Sequence, residues 1–177
     1  HQSTYETMKL HRLFGDPMII LKQELTKIPL WGWYAKAAQM IAIDRNAGSN
    51  ALQQIITQAT PLLAEGRTLV IFPQGTRVPI GAWRDYRYGV IKLQDALQLP
   101  IIPVALNSGA YWPRLSFWKG GGRVVFQFLP PILPDAPAEL RYAQLVRSIE
   151  TTSNQLAAEI GFPQSVLPEN FDQRHGK

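Results

Sequence analysis

The sequence contains no cysteine. That excludes a disulfide-braced scaffold, a thiolate zinc site and a cysteine nucleophile, and it suits a reducing compartment. Charge is sparse at 18% of residues, and acid is the scarcer sign: 13 Asp and Glu stand against 18 Lys and Arg, a net charge of +5. Long hydrophobic runs are also missing. The most apolar stretch, Leu30 to Ile43, is interrupted by Gly32 and Lys36 and falls short of the roughly 20 residues that span a bilayer. There is no G-x-S-x-G nucleophile elbow, no G-x-x-x-x-G-K-[ST] phosphate loop and no H-E-x-x-H zinc motif. A mechanism without a metal and without a bound cofactor is the simpler expectation.

What is present is a chain of 177 residues, 46% hydrophobic, enough for one domain with a real core and too apolar for a disordered segment. The basic balance favours anionic partners such as lipid headgroups, nucleic acid or phosphorylated small molecules, although a plain soluble basic surface reads equally well. The aromatic residues form no recognisable nucleic-acid motif, so no nucleic-acid partner is expected. The sequence begins at His1, not at a methionine, and reads as an N-terminally truncated piece whose anchor, if it has one, lies upstream. The polar residues 163–177 read as a loose tail.

Apolar periodicity places the elements. Ser3 to Phe14 predicts a helix, with Ser3 and Glu6 in a capping-box pattern. Met18 to Leu21, Met40 to Ile43, Thr68 to Phe72, Ile101 to Leu106 and Arg123 to Leu129 read as strands. Helices are expected from Pro29 to about Gln39, from Ser49 or Asn50 to Gly66 with Pro61 bending its end, around Arg87 to Leu97, and over the run carrying Tyr142 to Ile160. Strands alternating with helices argue for an α/β layered fold in one domain.

Three stretches carry the chemistry. His1 and Glu6 pair a base that titrates near neutrality with a carboxylate able to orient it. Five residues of ideal helix turn about 500°, which leaves the two side chains roughly 140° apart, so a loop-to-helix turn at Ser3 has to bring them together. Alternatively, Glu6 only caps the helix. Phe72-Pro73-Gln74-Gly75-Thr76-Arg77 follows a strand, at the edge where open α/β sheets bind ligands. There Gly75 permits a positive φ, Thr76 offers a hydroxyl, and Arg77 offers a forked donor for phosphate. A glycine turn with a solvent-facing arginine is the alternative. Asp44 and Arg45 end another short strand and either fix that loop or line the site. Lys22, after the first strand, either points to the ligand edge or is an ordinary surface lysine. Trp31, Trp33, Trp83, Trp112 and Trp118 are core residues or interfacial anchors.

Taken together, HQSTYE, IAIDR, FPQGTR and IIPVAL resemble, in order and spacing, the four blocks of the 1-acylglycerol-3-phosphate acyltransferases within the glycerolipid acyltransferases. The resemblance covers nearly the whole chain and implies a mixed, largely parallel sheet flanked by helices. It implies that His1 deprotonates the sn-2 hydroxyl of a lysophospholipid while Glu6 orients it, and that the hydroxyl oxygen attacks the thioester of acyl-CoA or acyl-carrier protein to give phosphatidic acid. It further implies substrate binding by Gln74, Gly75, Thr76 and Arg77, with Lys22 and Arg45 as further candidates, and work at the cytoplasmic face of a membrane. Other acceptors (glycerol-3-phosphate, a lyso-ornithine lipid, another lysophospholipid) fit the same blocks, as does a catalytically silent lipid-binding module. Gln74 stands where the family usually has glutamate, and Glu6 where aspartate is commoner.

Overall fold

A computed structural model describes residues 1–44, 49–114, 116–169 and 171. The chain forms two compact units, Met8–Phe72 on the one hand and His1–Thr7 with Pro73–Lys177 on the other. No linker-like composition marks the division in the sequence.

Helix α1 (Thr4–Phe14), which belongs to the unit Met8–Phe72 from Met8 onward, leads into strand β1 (Met18–Lys22). Met18, Ile19, Ile20 and Leu21 are all buried. A strand apolar on both faces belongs inside a parallel sheet, and β1 is the middle strand of one. It pairs in parallel with β2 (Ile41–Ile43), Ile20 opposite Ile41, and with β3 (Leu69–Val70), Met18 opposite Leu69. A 3-10 helix, Gln23–Lys27, follows β1.

Helix α2 (Trp31–Ala37) starts later than Pro29 because Leu30 sits at φ 64° and the Pro29 carbonyl accepts the Trp31 N–H at 2.7 Å. Gly32 is required in it, since a Cβ there would lie 1.8 Å from the Thr26 carbonyl oxygen. Helix α3 (Ser49–Ala64) packs on β2 and runs through Pro61 without ending there. Gly66, at φ 84°, closes it: Gly66 N–H bonds the Leu63 carbonyl and Arg67 N–H the Leu62 carbonyl, the paired bonds of a glycine-terminated helix.

The other unit holds α4 (Gly89–Leu97), β4 (Val104–Leu106), α5 (Ser108–Tyr111), β5 (Phe126–Phe128) and α6 (Ala138–Ala158). β4 and β5 run antiparallel, Val104 opposite Phe128, as a pair separate from the parallel sheet among the described residues. The strand expected from Ile101 is shorter because Pro103 has no N–H to give a ladder; Ile101 forms only an isolated bridge to Ile132. Helix α6 packs on β4 and buries Tyr142, Leu145, Val146 and Leu156.

Two of the described residues in the segment read as a loose tail make contacts with the rest of their unit. The Asn154 side chain bonds both the N–H and the carbonyl of Ser165 at 2.8 Å, and Phe171 is buried with its ring against Trp83. Among the described residues no helix is long and apolar enough to cross a membrane.

Candidate active site

The first turn of α1 is built by its own side chains. Ser3 is the N-cap, and its Oγ accepts the Tyr5 N–H at 2.9 Å. Glu6 reaches back to accept the Ser3 N–H at 2.6 Å, completing the capping box. The same oxygen, Oε1, accepts the Gln2 N–H at 2.5 Å. This return of the chain over the helix start carries His1 back onto Glu6, with Nδ1 3.2 Å from Oε1. Capping and pairing with His1, which the sequence leaves as alternatives, are therefore done by one carboxylate.

Glu6 is fully buried. Burial pushes its carboxyl above the ordinary value of 4.5. The Ser3 and Gln2 N–H groups and the Ser108 hydroxyl hold it back. Ser108, the first residue of α5, donates its Oγ–H to Oε1 at 3.2 Å. A neutral imidazole that directs its Nδ1 proton to this carboxylate carries its basic lone pair on Nε2.

Two glutamines hold His1 and Gln2 in place. Gln74, itself buried, accepts a hydrogen bond at Oε1 from the His1 main-chain nitrogen at 2.9 Å. The Gln2 side chain accepts the Gly109 N–H at 2.8 Å and donates to the Leu106 carbonyl at 3.1 Å, tying the chain start to the end of β4 and to α5. The Val78 N–H adds a bond to the His1 carbonyl. Behind His1 lies a cavity of about 40 Å³, lined in part by Gln74, Tyr86, Glu150 and Ser165. It has room for a few waters and is far below the several hundred Å³ of a ligand pocket. Glu150 accepts bonds there from the Tyr86 hydroxyl at 2.8 Å and the Ser165 hydroxyl at 2.5 Å. Burial, and after it the Glu150 charge, raises the Tyr86 phenol well above its usual range, so it remains a donor.

Gly75 has the positive φ, 69°, expected of it and turns the chain between Gln74 and Arg77, with Thr76 in the same turn. Arg77 reaches the start of α1, where its Nη1 donates to Thr4 Oγ1 at 2.8 Å. His1, Glu6, Gln74 and Arg77 thus come together in one unit.

Lys22 and Arg45 do not join this description. Lys22 ends β1 with its ammonium 2.8 Å from Glu24, both side chains about half exposed, so its charge is engaged by a neighbour two residues on. Arg45 lies outside the described residues. Sequence reasoning missed Ser108 and Gln2. Among the described residues no cluster of three His, Asp or Glu side chains is arranged to hold a metal ion.

The structure thus places a histidine–carboxylate pair at the start of a helix, in the same unit as a glycine turn that bears an arginine. The acyltransferase family pattern matches residues 1–107 of this chain. The chain is 34% identical over 160 residues to a 1-acyl-sn-glycerol-3-phosphate acyltransferase of Pseudomonas aeruginosa, covering 90% of this chain and 62% of that protein. It is 28% identical over 135 residues to 1-acyl-sn-glycerol-3-phosphate acyltransferase alpha of Mus musculus, covering 75% of this chain and 47% of the relative. Its fold matches the crystal structure of the 1-acyl-sn-glycerophosphate acyltransferase PlsC from Thermotoga maritima. The TM-score is 0.72 at 24% identity, over 89% of this chain and 64% of that one. The chain belongs to the acyltransferase family, and it spans less than two thirds of the length of these relatives.

Proposed function

We propose that this chain transfers a fatty acyl group from acyl-CoA or acyl-carrier protein to the sn-2 hydroxyl of 1-acylglycerol-3-phosphate, giving phosphatidic acid at a membrane surface on its cytoplasmic face. The observation that carries this reading is Glu6 Oε1 at 3.2 Å from His1 Nδ1, with Glu6 held by its capping-box bond from the Ser3 N–H.

His1 Nε2 takes the proton of the acceptor hydroxyl as its oxygen attacks the thioester carbonyl. The new C–O bond forms, the C–S bond breaks, and the imidazolium returns the proton to the departing thiolate. Glu6 remains ionised throughout; it holds the ring and stabilises the imidazolium, so it acts as a positioning residue. Arg77 supplies the forked donor for the acceptor phosphate, with Gly75 and Thr76 shaping the turn that presents it. Gln74, besides its place in the substrate-binding turn, supports this step by accepting a hydrogen bond from the His1 main-chain nitrogen.

Acyl transfer to lysophosphatidic acid, measured with each of the two donors, tests the reading. His1→Ala is expected to reduce turnover by about 10²–10⁴-fold. Turnover that survives His1→Ala sinks the mechanism. A preference for glycerol-3-phosphate or a lyso-ornithine lipid would move the acceptor while keeping the chemistry, and no transfer to any acceptor would leave a lipid-binding module.

A further inference from the structure

From Ala96 to Pro134 the chain runs for 39 residues without a single Asp or Glu, and within that stretch it carries Arg114, Lys119 and Arg123. The same stretch displays the two most exposed large aromatic side chains of their unit, Phe117 at 93% and Trp118 at 84% exposure. Their rings meet edge to face at 6.3 Å. The loop that bears them is built. Lys119 Nζ donates to the carbonyls of Pro113, at 3.2 Å, and Ser116, at 2.5 Å, and its ammonium lies 5.6 Å from the centre of the Trp112 ring. Ser116 Oγ donates to the Trp118 carbonyl at 2.9 Å, and Gly120 N–H closes the base on the Tyr111 carbonyl at 2.8 Å. Gly122 lies so near the Tyr111 ring that a Cβ there would sit 1.8 Å from it.

The loop is also wired to the candidate active site. Arg114 Nη1 donates to the Arg77 carbonyl at 3.4 Å, and the Trp112 ring lies 5.4 Å from that of Tyr5, on the same first turn as Glu6. Ser108, which holds Glu6, lies four residues before Trp112.

We infer that Phe117 and Trp118 form an interfacial anchor that inserts into the headgroup boundary of an anionic lipid bilayer, with Arg114, Lys119 and Arg123 meeting the lipid charge, and so set the candidate site against the surface in which its acceptor resides. Aromatic rings favour that boundary, and cations beside them gain from anionic headgroups. A polypeptide partner would be expected to match the three cations with its own carboxylates; a bilayer supplies the charge and the apolar layer together. This inference rests on the lipid-directed function proposed above.

Co-sedimentation of the chain with vesicles of phosphatidylcholine, with and without phosphatidylglycerol at a ratio of about two to one, tests it. The chain is expected to bind the anionic vesicles at least about tenfold more tightly than the neutral ones, and to release in high salt. Phe117→Ser with Trp118→Ser is expected to lower partitioning at least about tenfold. Because both rings are exposed, the fold, read by circular dichroism and melting midpoint, is expected to stay unchanged. With a short-chain acceptor presented as monomers in solution, the double variant is expected to retain wild-type kcat/KM, whereas His1→Ala loses turnover and still binds vesicles. Unchanged partitioning of the double variant overturns the anchor and leaves the acyl-transfer reading standing. Sedimentation velocity showing a dimer that the double variant abolishes overturns it as well, by giving the rings to a second copy of the chain.

Discussion

Removing one hydroxyl, in Ser108→Ala, probes the part of the site least visible in sequence. Ser108 Oγ is buried and donates to Glu6 Oε1 at 3.2 Å. A hydrogen bond to a charged group contributes about 1.5–3 kcal/mol, and a buried carboxylate stripped of a donor has no water to replace it. For a chain of this size, that loss lowers the melting midpoint by about 3–12 °C. The loss depends on pH, because the hydroxyl favours the ionised form of Glu6 and opposes the upward push of burial. In the variant the carboxyl rises further above 4.5. The stability difference between wild type and variant is therefore largest where Glu6 is ionised and shrinks as it protonates at lower pH. Activity follows the same logic. A protonated Glu6 cannot stabilise the His1 imidazolium, so the acid limb of kcat/KM moves to higher pH while KM for the acceptor is unchanged. Urea unfolding at several pH values and a pH–rate profile measure both effects. An unchanged midpoint together with an unmoved acid limb would refute the assignment of Ser108 to Glu6.

Glu6→Gln keeps an oxygen for the two cap N–H groups and removes the charge, so turnover is expected to fall by about 10²–10³-fold. Its stability moves the opposite way. The folded carboxyl is raised, so the native protein binds more protons than the unfolded chain; wild-type stability is fullest below about pH 4.5 and is lost as pH rises through the folded value. Melting midpoints of Glu6→Gln relative to wild type should then climb with pH across that window. Arg77→Ala removes a guanidinium whose exposed bond goes to the Thr4 hydroxyl, so stability should change by less than about 0.5 kcal/mol. KM for a phosphate-bearing acceptor should rise about 10–100-fold, and an equal defect with a phosphate-free acceptor would contradict its role. Gln74→Ala is expected to lower kcat about tenfold with little change in KM, because it loosens His1 and not the acceptor. Gln74→Glu should restore kcat, since its oxygen accepts the same bond; failure of that rescue, with Gln74→Ala impaired, would show that the amide nitrogen matters.

The contacts readable in sequence are those made within a few residues or within a contiguous block. Ser3 and Glu6 form the box their spacing implies, and Gly75 takes the positive φ its place in the turn requires. The strand positions were legible from apolar runs, but their lengths were not, because a run such as Ile101 to Leu106 does not reveal that Pro103 interrupts the ladder. Ser108 was illegible for a different reason: a serine after a strand is unremarkable, and its partner Glu6 lies 102 residues away in the chain. The glutamine staple from Gln2 to Leu106 and Gly109 is equally remote. Ser165 looked like part of a polar tail because nothing in its own neighbourhood announces Asn154 and Glu150 on α6. For Lys22 the sequence leaves a ligand-edge cation and a surface lysine as alternatives, and the structure adds an ion pair with Glu24 two residues on.

Glu6 is fully buried, yet donors surround its carboxyl group. Desolvation alone would neutralise it, and a neutral Glu6 would leave the imidazolium without its counter-charge. Its Oε1 collects the Gln2 and Ser3 N–H groups, the Ser108 hydroxyl and His1 Nδ1, each within 3.2 Å. The Ser3 N–H has no partner inside the helix, so a bond that opposes the upward push of burial on Glu6 is also one that finishes α1. The extra methylene of glutamate over aspartate suits both tasks, since the capping box needs a side chain long enough to return from the third helical position to the cap. Capping the helix and pairing with His1 are therefore not rival readings of Glu6. The cap supplies the fixed donors, and those donors allow a dry carboxylate to hold His1 in place before any substrate arrives.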